Sequence, residues 1–515
     1  MKNLLEKIKQ WFAHLSKKAL IIMSSAVAVV LILVIILCAT TCSCNCSGKK
    51  DDTPTDNNST ISGGETGGGE SGGGKSDRYD NSQENDFTYE ILSDGTYMVT
   101  GYTGADTVIK IPSKHNDIIV TAICDEMLKD KTAITSVTTS NNLKTIGGYA
   151  FENCTALTSI TFGTGLTIIG EGAFTGCTSL ASVNIPGNVE TIGSTAFYKC
   201  TSLTSVTIEN GVKNIQSFAF HTSNLTNLTL PSTLAKVGTY AFGETPYYTN
   251  NLTEEGKIRY LGYNGNAYYL VIETTDLAGT SFTIHDDAKI IGEGAFERRE
   301  SATSITIPDG LTSIGDSAFR SCTSLTSMTI PDSVTTLGDY AFNSCSTLKS
   351  IQISDNITTI GDSTFRSCSQ LTTINMPSSL TSIGDNAFYA CTFKTITIPD
   401  SVTKIGKYAF AFSDITSITI PNGVTVIEDY TFEYCLYITS ATIGTGVTSI
   451  GKEAFRNCEL LASIDIPDNV TTMSEQVFAG CSDLQTINLE ASETPEGWND
   501  NWNANCNAAI NYNVK

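Results

Sequence analysis

The chain is short of histidine and of basic side chains, and each shortage argues against a class of function. Its 515 residues include four His and 31 Lys or Arg against 53 Asp or Glu, which gives a net charge of −22. Nucleic acids are bound by basic faces, so this charge argues against a nucleic-acid partner. The four His are too scattered for an HExxH motif or an imidazole cluster, so we expect neither a metal site nor a cofactor.

The common catalytic motifs are missing as well. The sequence has no GxSxG elbow, no Walker loop and no paired-cysteine zinc pattern, and Gly170–Gly172 belongs to a repeated corner. We therefore predict that the chain is not an enzyme. A glycan-cleaving pair of carboxylates stays an alternative, because Glu254, Glu255, Glu273 and Asp276 lie in the one large irregularity of the sequence.

The N-terminal region does contain a long apolar run. From Ala19 to Ala39, 21 uncharged residues are enough to span a bilayer of ~30 Å as a helix. Five Lys and one acid precede this run, so the positive-inside rule predicts a cytoplasmic segment at 1–18, a transmembrane signal anchor at 19–42 and an extracellular remainder. A cleaved signal is the alternative, although the apolar region of such a signal is normally only ~7–15 residues long.

The next segment has few apolar side chains. Residues 43–86 are rich in Gly, Ser and Asp, a composition that predicts a flexible linker between the membrane and the rest of the chain. Cys38, Cys42, Cys44 and Cys46 lie around the start of this segment. Lipid attachment at Cys42, intermolecular disulfides and the absence of any attachment are all open for these cysteines.

From residue 87 onward one pattern repeats. A Phe recurs after a small residue with gaps of 22 or 23 residues, apart from a single gap of 54, and Leu128 takes the same place in an earlier, weaker unit. The repeated Phe are Phe151, Phe174, Phe197, Phe220, Phe242, Phe296, Phe319, Phe342, Phe365, Phe388, Phe410, Phe432, Phe455 and Phe478. This period predicts a mainly β leucine-rich-repeat solenoid of about 15 turns of parallel strands at 123–490, between caps at 87–122 and 491–515.

One unit shows how each turn is built. Met328 and Ile330 alternate with polar residues, which is typical of a half-buried strand, and Pro331 ends that strand because it cannot donate a ladder hydrogen bond. Phe342 then points inward at a tight corner. Stacked turns bring each residue beside its own copy about ~4.8 Å away, so the pattern predicts continuous ladders of Phe and of Ile.

Most cysteines follow the same period. They lie three residues after the repeated Phe, at Cys154, Cys177, Cys200, Cys322, Cys345, Cys368, Cys391, Cys435, Cys458 and Cys481. One thiol per turn gives a single file, which cannot supply the four clustered ligands of a zinc site. We therefore interpret these residues as small buried thiols that fill the corner of each turn.

These phrases resemble a known family. L-T-S-I-T-I-P, V-T-x-I-G and A-F-x-x-C-x-x-L are similar to the BspA-like class of leucine-rich repeats, and the similarity covers residues 87–515. Residues 89–104 resemble the N-terminal cap of that family, and 495–502 resemble its closing segment. The resemblance implies a cell-surface or secreted protein that adheres to host proteins, host cells or other microbes.

The 54-residue gap contains an insertion at 246–276. Asn264 and Gly265 lie between two apolar runs, which predicts a β-hairpin turn. The insertion carries six tyrosines, namely Tyr247, Tyr248, Tyr260, Tyr263, Tyr268 and Tyr269. A projecting hairpin would make them a protein contact site. The favoured interpretation is that they pack the hairpin against the solenoid.

The outward positions of the repeated strand form a second candidate protein-binding surface. They are Ser159 and Thr161, Ser182 and Asn184, Ser205 and Thr207, Ser304 and Thr306, Ser327 and Thr329, Thr395 and Thr397, and Ser417 and Thr419. This face offers hydroxyls in register but few charged or aromatic anchors, so binding there would be weak and would depend on avidity. Thr is also a good strand former, which explains the pattern without any ligand.

Taken together, these features predict a cell-surface-anchored scaffold that binds an extracellular protein or a host or microbial cell surface. The membrane contact would be made by the N-terminal helix alone. A coat protein that self-associates is the alternative, followed by a glycan-binding or glycan-cleaving surface protein.

Overall fold

The computed structural model describes residues 83–514. The predicted cytoplasmic segment and signal anchor, and all but the end of the predicted linker, lie outside the described residues. Within 83–514, no helix is long and apolar enough to cross a membrane. The described residues are mainly β and form a solenoid of leucine-rich-repeat type.

The solenoid begins with a small antiparallel unit. Its elements are a 3-10 helix at Glu84–Asp86 and the strands Phe87–Ile91 (β1), Tyr97–Tyr102 (β2), Val108–Lys110 (β3), Lys114–His115 (β4) and Ile118–Ile123 (β5). Strand β1 pairs with β2 in an antiparallel manner, and β2 then pairs with β5 in parallel. The parallel pairing of β5 with the first repeat strand therefore joins this unit to the repeats without a break.

The repeats contribute two series of parallel strands. We call the first series the strand face. It starts with β3 and continues through Ser136–Thr138 (β6), Ser159–Thr161 (β8), Ser182–Ile185 (β10), Ser205–Ile208 (β12), Asn227–Thr229 (β14), Ser281–Thr283 (β19), Ser304–Thr306 (β21), Ser327–Thr329 (β23), Ser350–Gln352 (β25), Thr373–Ile374 (β27), Ser417–Thr419 (β30), Ser440–Thr442 (β32), Ser463–Ile466 (β34), Thr486–Leu489 (β36) and Ala509–Tyr512 (β37).

The second series consists of two-residue strands, one in each turn. Its members are Thr145–Ile146 (β7), Ile168–Ile169 (β9), Thr191–Ile192 (β11), Asn214–Ile215 (β13), Lys236–Val237 (β15), Ile290–Ile291 (β20), Ser313–Ile314 (β22), Thr336–Leu337 (β24), Thr359–Ile360 (β26), Ser382–Ile383 (β28), Lys404–Ile405 (β29), Val426–Ile427 (β31), Ser449–Ile450 (β33) and Thr472–Met473 (β35).

The second series extends beyond the repeats that carry the Phe, and this changes the number of turns. It includes β2 and β5 in the N-terminal unit, one strand of the insertion, and a parallel bridge from Met473 to Trp498 near the C-terminal end. The solenoid therefore has about 18 turns, not about 15. The estimate of about 15 already counted the turn of β5 through Leu128. It was low because the turns of β2, of the insertion strand and of Trp498 lack the repeated Phe by which turns were counted.

The core follows the predicted ladders. Every repeated Phe is buried. Successive rings stack from Phe151 to Phe242 and again from Phe296 to Phe478, with centroids 5.0 Å apart for Phe151 and Phe174 and 5.5 Å apart for Phe342 and Phe365. On the strand face the inward residues are buried while their neighbours are exposed, as Met328 between Ser327 and Thr329 shows. The alternation predicted from the sequence is therefore confirmed for this unit.

The insertion folds as a short helix and three strands, not as a hairpin alone. Its elements are Pro246–Asn251 (α1), Leu252–Glu255 (β16), Ile258–Tyr263 (β17) and Asn266–Thr274 (β18). Tyr263 pairs with Asn266, so the predicted turn at Asn264 and Gly265 is confirmed. Strand β18 then pairs in parallel with β20 and so occupies the place of a repeat strand.

The insertion also divides the apolar interior into two cores. Leu261, Leu270 and Ile290 belong to the core of the preceding turns. Their neighbours Tyr260, Val271 and Ile291 belong to the core of the following turns. Because adjacent residues of a strand point to opposite faces, β17, β18 and β20 form a partition with one core on each side.

The repeated cysteines are buried free thiols, as predicted, and they also donate hydrogen bonds. Cys154 donates to the Leu128 carbonyl oxygen, and each later thiol donates to the carbonyl oxygen of the repeated Phe one turn earlier. The Sγ–O distances are 3.2 Å for Cys177 and Phe151 and 3.1 Å for Cys345 and Phe319. Burial raises the pKa of Cys200 and of Cys435 to about 12, so both remain protonated donors at neutral pH.

Candidate interaction surfaces

The tyrosines of the insertion pack largely against the solenoid. Tyr260 is 1% exposed and Tyr247 is 8% exposed. The Tyr247 hydroxyl donates to the Gly262 carbonyl at 2.9 Å, and the Tyr260 hydroxyl accepts from the backbone nitrogen of His285 at 3.2 Å. Both hydroxyls are therefore used inside the fold, in agreement with the packing interpretation.

The other four tyrosines are partly buried. The Tyr263 hydroxyl contacts both the nitrogen and the carbonyl oxygen of Leu230 at 3.0 Å, immediately after β14. Tyr268 stacks on His285 with ring centroids 3.5 Å apart. Tyr248 and Tyr269 pack against the first core. The six side chains are thus shared between the two sides of the partition and form no common outward surface.

The predicted strand-face residues do lie on one side of the solenoid. Exposed hydroxyls of adjacent turns meet in register, with Ser159 and Ser136 Oγ atoms 3.1 Å apart and Ser304 and Ser281 Oγ atoms 3.0 Å apart. Ser182, Asn184, Thr207, Thr306, Thr329, Ser417 and Thr419 are exposed as well, and Ser205 is half-buried. Both of these hydrogen bonds join neighbouring turns of the same chain.

Thr395 and Thr397 depart from this pattern. Both are exposed, but they lie outside any strand, so their assignment to a regular strand is wrong. The step from Phe388 to Phe410 is one residue short, and the buried Phe393 takes the place of the usual Leu one residue early. The steps that begin at Phe220 and at Phe410 are also one residue short, yet they keep the strands β14 and β30, so the spacing alone does not explain the missing strand.

A third surface was not predicted from the sequence. In each turn, the residues two before and two after the repeated Phe have a left-handed backbone. Around Phe410 and Phe432 these positions are aromatic, at Tyr408, Phe412, Tyr430 and Tyr434, with φ between 55° and 60°. Together with Tyr389 they form an outward aromatic surface, which we call the corner ridge.

The rings of the corner ridge stack along the solenoid. The centroids of Tyr408 and Tyr430 are 4.6 Å apart, and those of Phe412 and Tyr434 are 4.7 Å apart. Tyr389 lies beside the second stack, with its centroid 5.1 Å from that of Phe412 and its ring tilted by 42°. Phe412 is 42% exposed, and the other four rings are half-buried. Stacking leaves mainly the ring edges accessible at the surface.

Charged groups surround the ridge. The Arg366 guanidinium lies 4.6 Å from the Tyr389 centroid and covers that end of the stack. Glu433 lies between Tyr430 and Tyr434 in the sequence. Its side chain is buried, and this burial raises its pKa above the ordinary value for Glu. Arg456 faces Glu433 at 3.7 Å. The ridge therefore combines an apolar centre with a polar border, as protein interfaces do.

The sequence did contain a sign of this ridge. Tyr408 and Tyr430 are 22 residues apart, as are Phe412 and Tyr434, and each pair keeps the same distance from the repeated Phe. Their exposure was not predictable, because the sequence alone did not reveal that these two positions have left-handed backbones. Within residues 83–514, no three His, Cys, Asp or Glu side chains are grouped as metal ligands.

Comparison with known families and structures gives consistent matches. The model of the BspA type leucine rich repeat region matches six copies, at residues 121–249, 276–394 and 381–508. A leucine-rich repeat protein from Bacteroides ovatus is 24% identical over 80% of this chain and 88% of its own, with a TM-score of 0.34. A leucine rich cell surface protein from Faecalibacterium prausnitzii is 24% identical over 82% of this chain and 97% of its own, with a TM-score of 0.26. No curated protein matches the chain.

Proposed function

Because the chain belongs to the BspA type leucine-rich repeat family, we propose that it is an interaction scaffold on a cell surface and binds another protein, free or on another cell, through the corner ridge. Leucine-rich repeat proteins are typically scaffolds without enzymatic activity. A partner would be recognised by side chains mounted on the repeated turns, since the repeat itself specifies the scaffold.

The observation that carries this proposal is the grouping of aromatic rings at the ridge. The two left-handed positions of each turn accept many residue types, such as Gly176, Asn457 and Ser344. Around Phe410 and Phe432 all four of these positions are aromatic. Their rings stack in two pairs at the surface, with centroids 4.6 and 4.7 Å apart. Clustered aromatic rings that are partly accessible to solvent are the side chains that most often anchor a protein partner.

The two surfaces predicted from the sequence fit a direct binding role less well. The strand face presents hydroxyls, several of which already bond the neighbouring turn, and it lacks aromatic anchors. The six tyrosines of the insertion belong to the two apolar cores or pack against them, whereas the rings of the ridge do not. We assign the strand face to weak additional contacts and the insertion to the support of the solenoid.

The proposal includes attachment to the cell. Residues 19–42 would anchor the chain in the membrane with the N-terminus in the cytoplasm, and residues 43–86 would hold the solenoid away from the surface. Many copies on one cell would multiply weak contacts by avidity. Protease treatment of intact cells tests this orientation, which predicts digestion of the solenoid and protection of an epitope placed before residue 19.

The binding role is tested by adhesion of vesicles that carry the full chain to immobilised matrix proteins and to host and microbial cells. Phe412→Ser and Tyr434→Asn are introduced together, because Ser344 and Asn457 occupy the same repeat position in other turns. We expect the double variant to keep its thermal stability and to lose at least about tenfold in adhesion, as for the loss of two aromatic anchors.

A matched control changes the same repeat position elsewhere. Ser321→Ala and Ser344→Ala together should leave adhesion unchanged, since these residues lie in turns without exposed rings at that position. Adhesion that survives in the ridge variant would exclude the ridge as the binding surface.

Light scattering over a range of protein concentrations tests the alternative of a self-associating coat protein, which would appear as a molecular mass that rises with concentration. Release of sugars from a glycan panel detects the enzyme.

A further inference from the structure

A groove of about 500 Å³ lies beside the hairpin turn of the insertion. Residues 230–234 of the preceding turns line one side, residues between 263 and 269 of the insertion line another, and Lys289 and Thr312 of the following turns complete the lining. Ligand sites in proteins commonly enclose about 300–1,000 Å³, so the groove is large enough for a small organic ligand. None of the residues of the corner ridge lines it.

Two tyrosine rings line the groove, and one of them has a free hydroxyl. Tyr263 and Tyr269 are half-buried and meet edge to face, with ring centroids 5.4 Å apart. The Tyr263 hydroxyl is occupied by the backbone of Leu230, whereas the Tyr269 hydroxyl makes no hydrogen bond within residues 83–514. Burial raises the pKa of Tyr269, so the hydroxyl keeps its proton at neutral pH. It can therefore donate to a ligand oxygen.

The charge of the groove is positive, in contrast to that of the chain. Lys289 is half-buried and is the only charged side chain among the described residues that line the groove. Its Nζ donates to the Gly310 carbonyl at 3.3 Å, which leaves two of its three N–H donors free. The neighbouring acids are directed elsewhere, since Asp287 lies 3.7 Å from His285 and Glu209 accepts from the preceding turn. The groove therefore favours an anionic ligand.

Neutral amides and apolar groups complete the lining. Asn210 uses its Oδ1 for the nitrogen and the hydroxyl of Ser232, so its amide nitrogen is a free donor. The side chain of Asn264 is exposed and makes no hydrogen bond within the described residues. Leu230 and Leu234 add aliphatic surface. Side-chain amides suit neighbouring hydroxyl groups, because each amide both donates and accepts. A ring that carries several hydroxyls and one carboxylate matches these groups together.

We propose that this groove binds one acidic sugar residue, with its carboxylate on Lys289 Nζ and the Tyr269 hydroxyl and its ring hydroxyls on Asn210 and Asn264. The site is separate from the corner ridge, which lies around Phe410 and Phe432. A free acidic monosaccharide and the end of a surface glycan present the same chemistry, so both are tested. The insertion then contributes a ligand site as well as a partition.

The experiment is saturation-transfer NMR on the full chain in detergent. Glucuronic acid and N-acetylneuraminic acid are the acidic probes, and glucose and N-acetylglucosamine are the neutral ones. The expected result is transfer to at least one acidic sugar and none to the neutral sugars. Oligosaccharides that end in the same acidic sugar then distinguish a glycan end from a free monosaccharide.

A substitution of Lys289 tests the charged contact. Lys289→Thr introduces the residue that most other turns have at this position, as at Thr312 and Thr335. It should weaken binding by about tenfold, the value of one hydrogen bond to a charged donor. Lys213→Thr is the matched control, because Lys213 has the same place before a second-series strand of an earlier turn but does not line the groove. Binding by this control should be unchanged.

A second pair of variants keeps the proposal testable if Lys289→Thr fails to fold. Tyr269→Phe removes only the hydroxyl and should weaken binding by about fivefold. Tyr268→Phe should not, since Tyr268 points to the other side of the same strand and does not line the groove. The absence of transfer to both acidic sugars, equal transfer to the neutral sugars, or equal losses in a variant and its control would overturn the proposal. The proposed function is unaffected by this outcome, because its variants lie on the ridge.

Discussion

At the scale of single residues, hydrogen bonding more than size determines which residue stands three positions after each repeated Phe. Where Cys is missing, the replacements are Ser223, Thr245, Arg299 and Ser413, and each carries a donor. The Ser223 and Thr245 hydroxyls donate to the carbonyls of Phe220 and Phe242, both at 2.7 Å. Ser413 Oγ lies 3.5 Å from Cys435 Sγ. A role limited to filling space would have admitted Ala, which does not occur at these positions.

This donor role predicts different effects of two substitutions at Cys345. Cys345→Ala removes the bond to the Phe319 carbonyl and leaves a small cavity, so we expect a loss of about 1–3 kcal/mol. Cys345→Ser keeps a donor and a similar shape, so its loss should be smaller. Urea unfolding followed by circular dichroism measures both values. Equal destabilisation by Ala and Ser would show that packing alone determines the choice of Cys.

The carboxylates of adjacent turns provide a pH-dependent prediction. Asp339 accepts from the Asp362 nitrogen at 2.9 Å, and Asp316 accepts in the same way from the Asp339 nitrogen at 2.7 Å. Burial and, to a smaller extent, the neighbouring Asp316 and Asp362 raise the pKa of Asp339 above its ordinary value. The folded state therefore binds the Asp339 proton more tightly than the unfolded state, and the ionised carboxylate destabilises the fold above the raised pKa.

Asp339→Asn should remove this penalty while keeping an oxygen for the Asp362 nitrogen. We expect a higher melting temperature than that of the unchanged protein at pH 7, by a few degrees at most. The difference should disappear as the pH falls below the unfolded value of about 3.9, because the carboxyl is then neutral in both states. Differential scanning fluorimetry from pH 7 to 3.5 measures it. A difference that stays constant over this range would exclude ionisation of Asp339 as the cause.

At the scale of elements, the insertion supports the solenoid. The sequence predicted its turn correctly, because Asn264–Gly265 has few alternatives. It did not reveal that β18 would replace a repeat strand, since residues 266–274 lack the phrases of the repeats. Tyr-rich composition alone does not distinguish a contact site from a packed interface, because an aromatic ring suits both.

The buried face of the insertion predicts that Tyr260 is important for stability. Tyr260→Ala removes a ring that is 1% exposed, and we expect a loss of about 3–5 kcal/mol. Tyr260→Phe removes only the acceptor for the His285 nitrogen and should cost about 1 kcal/mol. Tyr268→Ala is the control, since this half-buried ring should contribute less. Thermal unfolding of the three variants gives the order, and a larger effect at Tyr268 than at Tyr260 would contradict the assignment.

At the scale of the whole molecule, the period predicted one continuous core, but the described chain has two. The sequence shows a gap of 54 residues after Phe242, but the repeated Phe resume beyond it with the same spacing, so the sequence does not reveal that the insertion divides the core. The interruption arises because β17 and β18 enter between the turns and bury residues on both faces. Repeat solenoids are stabilised by contacts between neighbouring turns, so a partition weakens the coupling between the two blocks.

This arrangement predicts that two adjacent residues of β18 stabilise different halves of the molecule. Leu270 is buried in the first core and Val271 in the second, at 5% and 0% exposure. Leu270→Ala should lower the unfolding free energy of the preceding turns by about 2–4 kcal/mol, and Val271→Ala should lower that of the following turns by about 1–2 kcal/mol. Each change should leave the other half nearly unaffected, because its core keeps all of its contacts.

Hydrogen exchange of the full chain resolves the two halves by peptide. For Leu270→Ala we expect faster exchange in residues 123–242 and little change in 281–489, and for Val271→Ala the reverse. The comparison is well matched, since the two residues share a strand, a burial class and a partner strand. If both variants accelerate exchange over the whole solenoid, the two cores unfold as one cooperative unit. In that case the partition transmits stability between the blocks instead of separating them.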